Sequence, residues 1–402
     1  MGRSRIQTPA GLVTVGLTLA VAAGIGLGAA RTSVADATRC ARGSVAAVVE
    51  GKRVCLRRGQ RCRTRLDRVY HRYGFHCHTG RLTGGPGPAP APPLPAGKVL
   101  ATIRAPSTGG VAIGAGSVWV ANLLPHTLTR IDPATNAVSA TISIGDGLLD
   151  PFHGPTRVAF GHGSIWVLDG VADCGCVHRV DPATNAIVAT INLGTPVRFR
   201  VAPFAIAVRP EAVWIALREG IEAASNGSVV RVDPATNSVV GVIGAGSNPD
   251  FGGATGLAAN ESGVWTSVPS MRSVLRIDPA TNSVVATTSG LTCGEGQVAA
   301  DDALGVWIAD CDVVRQLDPR TNRFVRRIAI PGGAGGGVRG IAIGDGSVWA
   351  QAASLVRIDP MRGVPTGRTP LDVSLVWGEY SIAIGFGSVW VRQQDRVVRI
   401  RP

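Results

Sequence analysis

The sequence lacks the short motifs that carry most hydrolytic and phosphate-transfer chemistry. It has no HExxH motif, no nucleophile elbow, no Ser–His–Asp ordering and no glycine-rich loop ending in Lys-Ser or Lys-Thr. Histidine is also scarce, with seven residues in the chain and none after His178. These absences argue against zinc proteases, α/β-hydrolases and P-loop enzymes, and they leave the C-terminal half without a histidine base.

Acidic residues are rare at the N-terminal end. Residues 1–97 contain 15 Lys/Arg and 3 Asp/Glu, so they carry +12 of the chain's formal charge of +13. The other 25 basic and 24 acidic side chains lie in residues 98–402, where they nearly cancel. The basic character therefore belongs to the N-terminal segment and says little about what the rest of the chain binds.

The first residues have the layout of a secretory signal. Arg3 and Arg5 precede an uncharged run at 11–30, and a small-x-small cleavage site follows at residues 35–37. We predict a signal peptide over 1–37 and a secreted or envelope-associated protein that contacts a membrane only through this segment. Because the run is longer than a usual signal core, an uncleaved anchor is the alternative.

Residues 38–82 form a cysteine-rich basic module. Its four cysteines are separated by 14, 6 and 14 residues: Cys40, Cys55, Cys62 and Cys77. In an exported chain this pattern predicts two disulfides, with three connectivities open. Zinc is the competing interpretation because three histidines lie nearby, but the paired C-x2-C or H-x3-H spacing is missing. We predict disulfides and no metal.

The same module is rich in positive charge, with 12 Lys/Arg and 2 acids between Arg39 and Arg81. It is either a patch for anionic envelope polymers or lipid headgroups, or a solvated spacer. We expect no nucleic-acid partner. A Pro/Gly-rich linker at 83–97 then separates the module from the main domain, which spans 98–402.

The main domain is built from repeats of 41 to 51 residues, each marked by one tryptophan: Trp119, Trp166, Trp214, Trp265, Trp307, Trp349 and Trp390. Repeats of this length with four short strands are typical of propeller blades. In the first repeat we predict strands A to D at Val111–Gly114, Val118–Asn122, Leu128–Asp132 and Ala137–Ser143. The last repeat stops after strand C, and Lys98–Ile103 matches strand D. The sequence therefore predicts an all-β, seven-bladed β-propeller that its N-terminal strand closes.

A polar knot, Asp-Pro-Ala-Thr-Asn, recurs between strands C and D, first at residues 132–136. Asp132 can accept backbone N–H bonds, Pro133 presets φ for a turn, and Asn136 tolerates the left-handed conformation. One carboxylate in each repeat is too few for calcium. We therefore predict a structural turn.

The segment VWVAN followed by TRIDPATNAVSATISIG resembles the YVTN-type β-propeller repeat, and the wider fold resembles virginiamycin B (streptogramin) lyase-like propellers. The resemblance covers nearly all of 98–402. It implies a histidine base, a nearby acid and Mg2+ in the later blades. Because no histidine follows His178, these residues have no counterpart here, and the motifs specify fold more strongly than activity.

Loop length points to one face of the propeller. The intervals that span the loop between strands B and C are longest in repeats 2 and 3, at 15 and 19 residues from Trp to Asp. We expect a ligand site on this face, because a rigid scaffold presents its loops. The candidate ligand-binding residues are Asp150, Phe152, His153, Arg157, Arg198, Arg200, Phe204, Arg218, Asp250, Phe251, Trp377 and Tyr380.

Four further cysteines lie on the same face. Cys293 and Cys311 fall in adjoining loops of repeat 5, and we predict a disulfide between them. Cys174-Gly-Cys176 predicts a strained disulfide because Gly175 permits the backbone angles, with a metal or redox role beside His178 as the alternative.

The preferred interpretation is a monomeric, exported propeller that uses no cofactor and binds an anionic envelope polymer, a glycan or a protein through its long-loop face. The alternative is a lyase-like or hydrolase-like enzyme with a site near His153, where Asp150 could act as its acid/base partner.

Overall fold

The structure is a computed structural model that describes residues 40, 44–84, 95–106, 109–145, 154–170, 175–193, 201–219, 226–247, 254–293, 296–331, 337–371, 381–393 and 395–402. The predicted signal segment, residues 1–37, lies outside these ranges. Within the described ranges, no helix has the length and apolar character needed to cross a membrane. The chain divides into two compact units between Pro92 and Pro93.

In the N-terminal unit, the described residues form two hairpins and one short helix. Strand β1 (Ser44–Val49) pairs antiparallel with β2 (Lys52–Arg57), and β3 (Phe75–His78) pairs with β4 (Arg81–Gly84). A single 3-10 turn (Thr64–Leu66) and helix α1 (Asp67–His71) connect the hairpins. The small core contains Ala47, Leu56, Tyr70, Phe75 and Leu82.

Two disulfides reinforce this small core. Cys40 is bonded to Cys55, and Cys62 is bonded to Cys77. The prediction of disulfides is confirmed, and the connectivity joins cysteines that are neighbours in the sequence. A core of this size benefits from cross-links, because it buries too little apolar surface on its own. The bonds also suggest an extracytoplasmic location, since disulfides persist in oxidising compartments.

The second unit is a ring of seven four-stranded antiparallel sheets, which confirms the predicted propeller. Its strands, in chain order, are β5 (Lys98–Arg104), β6 (Val111–Gly114), β7 (Ser117–Asn122), β8 (Thr127–Asp132), β9 (Ala137–Ser143), β10 (Gly154–Gly161), β11 (Ser164–Gly170), β12 (Cys176–Asp181), β13 (Ala186–Asn192), β14 (Val201–Arg209), β15 (Ala212–Glu219), β16 (Asn226–Asp233), β17 (Ser238–Ser247), β18 (Gly256–Asn260), β19 (Gly263–Val268), β20 (Ser273–Asp278), β21 (Ser283–Ser289), β22 (Val298–Asp301), β23 (Gly305–Asp310), β24 (Val313–Asp318), β25 (Arg323–Ala329), β26 (Gly340–Gly344), β27 (Ser347–Gln351), β28 (Ser354–Asp359), β29 (Val364–Pro370), β30 (Ile382–Gly385), β31 (Ser388–Gln393) and β32 (Arg396–Arg401). One 3-10 turn (Pro269–Met271) interrupts blade 4.

Blades 1 to 6 each use four consecutive strands, from β6–β9 to β26–β29. Blade 7 combines β30, β31 and β32 with β5, so the first strand of the unit forms its outer edge. Register partners such as Ile103 with Val397 fix this pairing, as the sequence predicted. The segment just before β5 also contacts blade 6, where the Gly97 N–H donates to Thr369 Oγ1 at 2.8 Å.

The recurrent turns have the predicted geometry. In blade 1, the Ala134 N–H donates to Asp132 Oδ1 at 2.7 Å, and Asn136 adopts a left-handed φ of 60°. The same left-handed φ occurs at Asn185, Asn237, Asn282 and Asn322. The hydrogen bond from Ala134, together with those from Thr135, holds the pKa of Asp132 below its ordinary value.

The inner strands pack against one another through glycine. Gly114, the last residue of β6, has no room for a side chain, because a Cβ would lie 2.0 Å from the Phe160 ring of the next blade. Its carbonyl also accepts a hydrogen bond from the Trp119 indole at 3.0 Å. Trp166 and Trp390 make the same bond to Gly161 and Gly385. Each of these tryptophans therefore fixes the A–B turn of its own blade while its ring is buried.

An arginine in strand C links each of several blades to the next. Arg130 lies over the Trp119 ring at 4.9 Å, and its Nη1 donates to the Pro182 carbonyl at 2.7 Å and to Asn185 Oδ1 at 3.0 Å. The same donors and acceptors recur from Arg179 to Pro234 and Asn237, from Arg231 to Pro279 and Asn282, and from Arg399 to Pro133 and Asn136. The proline carbonyl and the asparagine side chain of each of these turns thus accept hydrogen bonds from an arginine of the neighbouring blade.

Blade 5 departs from this pattern. Gln316 occupies the arginine position, and Arg326 of the outer strand donates instead to the Pro360 carbonyl of blade 6. The arginine of blade 5 therefore lies on a different strand, but it donates to the equivalent proline carbonyl in the turn of the next blade.

Candidate functional site

The long-loop face lies where the second strands end and the first strands begin. Nine of the predicted ligand-binding residues lie outside the described residues: Asp150, Phe152, His153, Arg198, Arg200, Asp250, Phe251, Trp377 and Tyr380. Arg157, Phe204 and the backbone of Arg218 are described. Arg218 pairs with Gly227 near the end of β15, and Phe204 is half-buried at a register shift in β14.

Arg157 lies near the beginning of β10, just after a register shift between the first two strands of blade 2. Its backbone packs closely on blade 1, because a Cβ on Gly110 would lie 3.2 Å from the Arg157 Cα. The Nη1 of Arg157 is buried. Burial, and secondarily the positive charge of Arg392, lowers the pKa of Arg157 to about 10.

Arg392 lies near the end of β31 in blade 7 and is 3% exposed. The backbone N–H of Arg392 donates to the Ser381 carbonyl at 3.0 Å, and the backbone carbonyl of Arg392 accepts from Gln351 Nε2 of blade 6 at 3.3 Å. Ser381 Oγ in turn accepts from the Val111 N–H of blade 1 at 2.9 Å. Burial lowers the pKa of Arg392 to about 10. Half-buried Arg157 of blade 2 and buried Arg392 of blade 7 are thus within electrostatic range of each other.

Three buried polar atoms accompany these arginines. Asn122 Oδ1, His126 Nε2 and Gln351 Oε1 have no hydrogen-bond partner among the described residues. Asn122 ends β7, Gln351 ends β27, and His126 lies in the turn between β7 and β8, so all three are on the loop face. A ligand that donates hydrogen bonds could satisfy the amide oxygens.

Arg392 and Gln351 could have been found from the sequence. Each lies two residues after its blade tryptophan, where blades 1, 2, 3 and 5 have Ala121, Leu168, Ala216 and Ala309. A charged or amide side chain in an otherwise apolar, buried strand position signals a special role. His126 and Asn122 carried no comparable signal.

Blade 5 contains a second charged cluster on this face. The Asp310 carboxylate is buried and accepts from Arg315 Nε at 2.5 Å and from the Thr292 and Cys293 N–H groups at 2.8 and 3.0 Å. The predicted disulfide between Cys293 and Cys311 is present. With its carboxylate paired and both loops cross-linked, this cluster stabilises the fold and is not a free acid.

His178 in blade 2 lies between an acid and a hydroxyl. Its Nε2 is 3.2 Å from Asp169 Oδ2, and its Nδ1 is 2.9 Å from Thr190 Oγ1. Cys176 Sγ is 3.9 Å from His178 Nε2 but is disulfide-bonded, so it is no thiolate ligand. Cys174, the predicted partner of Cys176, lies outside the described residues. Both ring nitrogens are engaged within the blade, which gives His178 a structural role.

Two solved structures share this architecture. A structure titled "Streptogramin B lyase structure" superposes with a TM-score of 0.60 at 13% identity, over 75% of this chain and 96% of that chain. The chain shares the propeller fold of this structure. A chain of the structure titled "Crystal Structure of Mitotic Checkpoint Complex" superposes equally well, with a TM-score of 0.60, 12% identity and coverages of 77% and 96%.

No family model and no curated protein matches the sequence. At 12–13% identity the two structures establish the fold of the chain, and its chemistry has to be argued from its own residues.

Proposed function

We propose that the protein is an exported, non-enzymatic binding protein that holds an anionic envelope polymer or glycan on the long-loop face of its propeller. The observation that carries this proposal is a pair of arginines on that face, the buried Arg392 and the half-buried Arg157, whose Nη1 is buried. A bound anion would offset the desolvation that lowers the pKa of both arginines and the repulsion from Arg392 that lowers the pKa of Arg157 further.

Export is part of the proposal. It is supported by the signal-like layout of residues 1–37 and by the disulfides of both units. An envelope location would supply acidic polymers in quantity, which suits a site of modest affinity.

The test is direct binding of an acidic oligosaccharide, with galacturonate oligomers as the probe and neutral dextran oligomers of matched length as the reference. We expect the wild-type chain to bind the galacturonate oligomers more tightly than dextran, and we expect Arg157→Gln and Arg392→Gln each to weaken that binding. Loss of one charged contact in a buried site costs about 1.5–3 kcal/mol, or roughly 10- to 150-fold in Kd.

Two controls separate this site from general attraction to basic surface. Arg320→Gln removes the same charge from an exposed turn on the opposite face and should leave binding unchanged. Neutralising Arg53, Arg57 and Arg58 tests the exposed basic side chains of the N-terminal module. If the module variant loses binding and the propeller variants do not, the loop-face site is wrong.

An enzyme is the second candidate, favoured by the fold shared with the streptogramin B lyase. In this case the chain would act as a lyase or hydrolase on a streptogramin B-like substrate at a site near His153. Against it, the later blades have no histidine, and His178 is engaged within blade 2. Incubation with streptogramin B decides: turnover that His153→Ala abolishes would replace the binding proposal.

A further inference from the structure

The N-terminal module brings together three side chains with metal-ligand chemistry. Asp67 and His71 begin and end α1, and their spacing of four residues places them on one face of the helix. His76 lies on β3, which follows the helix directly. One ligand atom from each residue lies within 4.8 Å of the other two.

The Asp67 carboxylate is held in place by the backbone. Its Oδ1 accepts a hydrogen bond from the Cys77 N–H at 2.5 Å, which leaves Oδ2 facing His71 Nε2 at 3.1 Å. The Cys62–Cys77 disulfide anchors the same strand residue to the rest of the module. Carboxylates that bind metals are commonly oriented by a hydrogen bond of this kind.

The imidazoles of His71 and His76 lie against each other beside the Asp67 carboxylate. His71 Nε2 and His76 Nδ1 are in direct contact, and the rings lie edge-on with centroids 4.1 Å apart. Two ring nitrogens and one carboxylate oxygen therefore converge. His71 Nε2 faces both Asp67 Oδ2 and His76 Nδ1, and this single nitrogen cannot form a full hydrogen bond to each of them. At 45% side-chain exposure for His71 and 33% for Asp67, their contact alone would contribute little stability.

We propose that Asp67, His71 and His76 form a binding site for one Zn2+ ion. Two histidines and one carboxylate are a common three-ligand zinc environment, and half-exposed ligands leave the fourth position open to water. The cysteines take no part, because both pairs are disulfides. This site differs from the Cys/His site weighed against disulfides in the sequence, and it does not depend on the proposed ligand site of the propeller.

The experiment is calorimetric titration of the full, tag-free, disulfide-bonded chain with Zn2+, with Co2+ absorption as a second readout of ligand geometry. We expect one equivalent to bind. His71→Ala, His76→Ala and Asp67→Asn should each weaken binding by more than about 10-fold, since a direct ligand contributes more than the groups that only orient ligands, whose loss costs roughly 10- to 100-fold. A free-thiol assay on each variant shows whether its disulfides remain intact.

His78→Ala is the matched control, because His78 is also an exposed histidine on β3 but lies outside the cluster. His178→Ala removes the histidine of the second group of possible ligands, in blade 2. Both variants should bind Zn2+ as the wild type does. The proposal is overturned if the wild type shows no saturable Zn2+ binding, or if His78→Ala weakens binding as much as His76→Ala does.

Discussion

Arg399 Nη1 donates a hydrogen bond to Asn136 Oδ1 at 2.9 Å, across 263 residues of sequence. Arg399 also lies over the Trp390 ring at 4.9 Å and donates to the Pro133 carbonyl. These contacts join the last blade to the turn of the first blade. The ring is therefore closed twice, by the backbone pairing of β5 with β32 and by this side-chain contact.

The first prediction concerns this contact. Arg399→Ala should lower the free energy of unfolding by about 1–3 kcal/mol, because it removes a cation–π contact, the two hydrogen bonds to the turn of blade 1 and two further hydrogen bonds within blade 7. Asn136→Gly removes the acceptor but keeps the left-handed backbone available, so it isolates the hydrogen bond from backbone strain. Urea denaturation of both single variants and the double variant measures the coupling between the two residues.

We expect a coupling energy of about 0.5 kcal/mol or more between positions 399 and 136. Asn185→Gly provides the matched control, since Asn185 occupies the same turn position but accepts from Arg130. Its effect should add to that of Arg399→Ala. Additive behaviour at positions 399 and 136 would contradict a direct contact.

The second prediction tests closure by β5. Ile103 is 7% exposed in the core shared by blades 7 and 1, whereas Val99 on the same strand is 50% exposed. Ile103→Asp should lower the free energy of unfolding by about 3–5 kcal/mol, because it removes apolar packing and buries a carboxylate. Val99→Asp should change it by about 0.5 kcal/mol or less. Thermal unfolding curves of the two variants compare them directly; equal effects would mean that β5 does not seal the ring.

The third prediction concerns pH and Asp310. Burial alone would raise the pKa of Asp310, but the hydrogen bonds from Cys293, Arg315 and Thr292 outweigh it and hold the pKa below its ordinary value of 3.8. A depressed folded-state pKa contributes stability that is present above the unfolded pKa and is lost as pH falls through the folded value. The stability difference between wild type and Asp310→Asn should therefore be constant from about pH 7 to 5 and shrink below about pH 4.

Chemical denaturation across that pH range measures the difference. Asp345→Asn is the control, because Asp345 lies in an exposed turn at φ 48°, which asparagine tolerates. The free energy of unfolding of Asp345→Asn should stay close to that of wild type across the whole pH range. If the difference in free energy of unfolding between wild type and Asp310→Asn does not depend on pH, the hydrogen bonds of Asp310 persist when it is protonated.

Much of the fold was predictable because the same short sequence patterns for strands and turns recur in each repeat. Trp119 marks a buried second strand, and Asp132 to Asn136 specify a turn by chemistry that acts within five residues. The role of Arg130 was not predictable in the same way. Its acceptors, Pro182 and Asn185, lie about fifty residues away, and only the curvature of the ring brings them together.

The candidate site was less accessible to prediction. Arg157 was found because it follows a long loop, but Arg392 lies inside a strand, where loop length gives no information. The contact between His71 and His76 also depends on the way α1 meets β3, which four cysteines and their spacing do not determine. Strands and turns depend on residues that are close in sequence and can be predicted from them. The candidate sites are formed by residues that are distant in sequence, and only the folded chain brings these together.

The position of β5 in blade 7 also constrains how the chain is made. Its partner strand, β32, occupies residues 396–401, so β5 is synthesised almost three hundred residues before the backbone that pairs with it exists. Six blades can form their hydrogen bonds from consecutive strands as they emerge. The ring therefore cannot be completed until the last strand of the propeller has been synthesised.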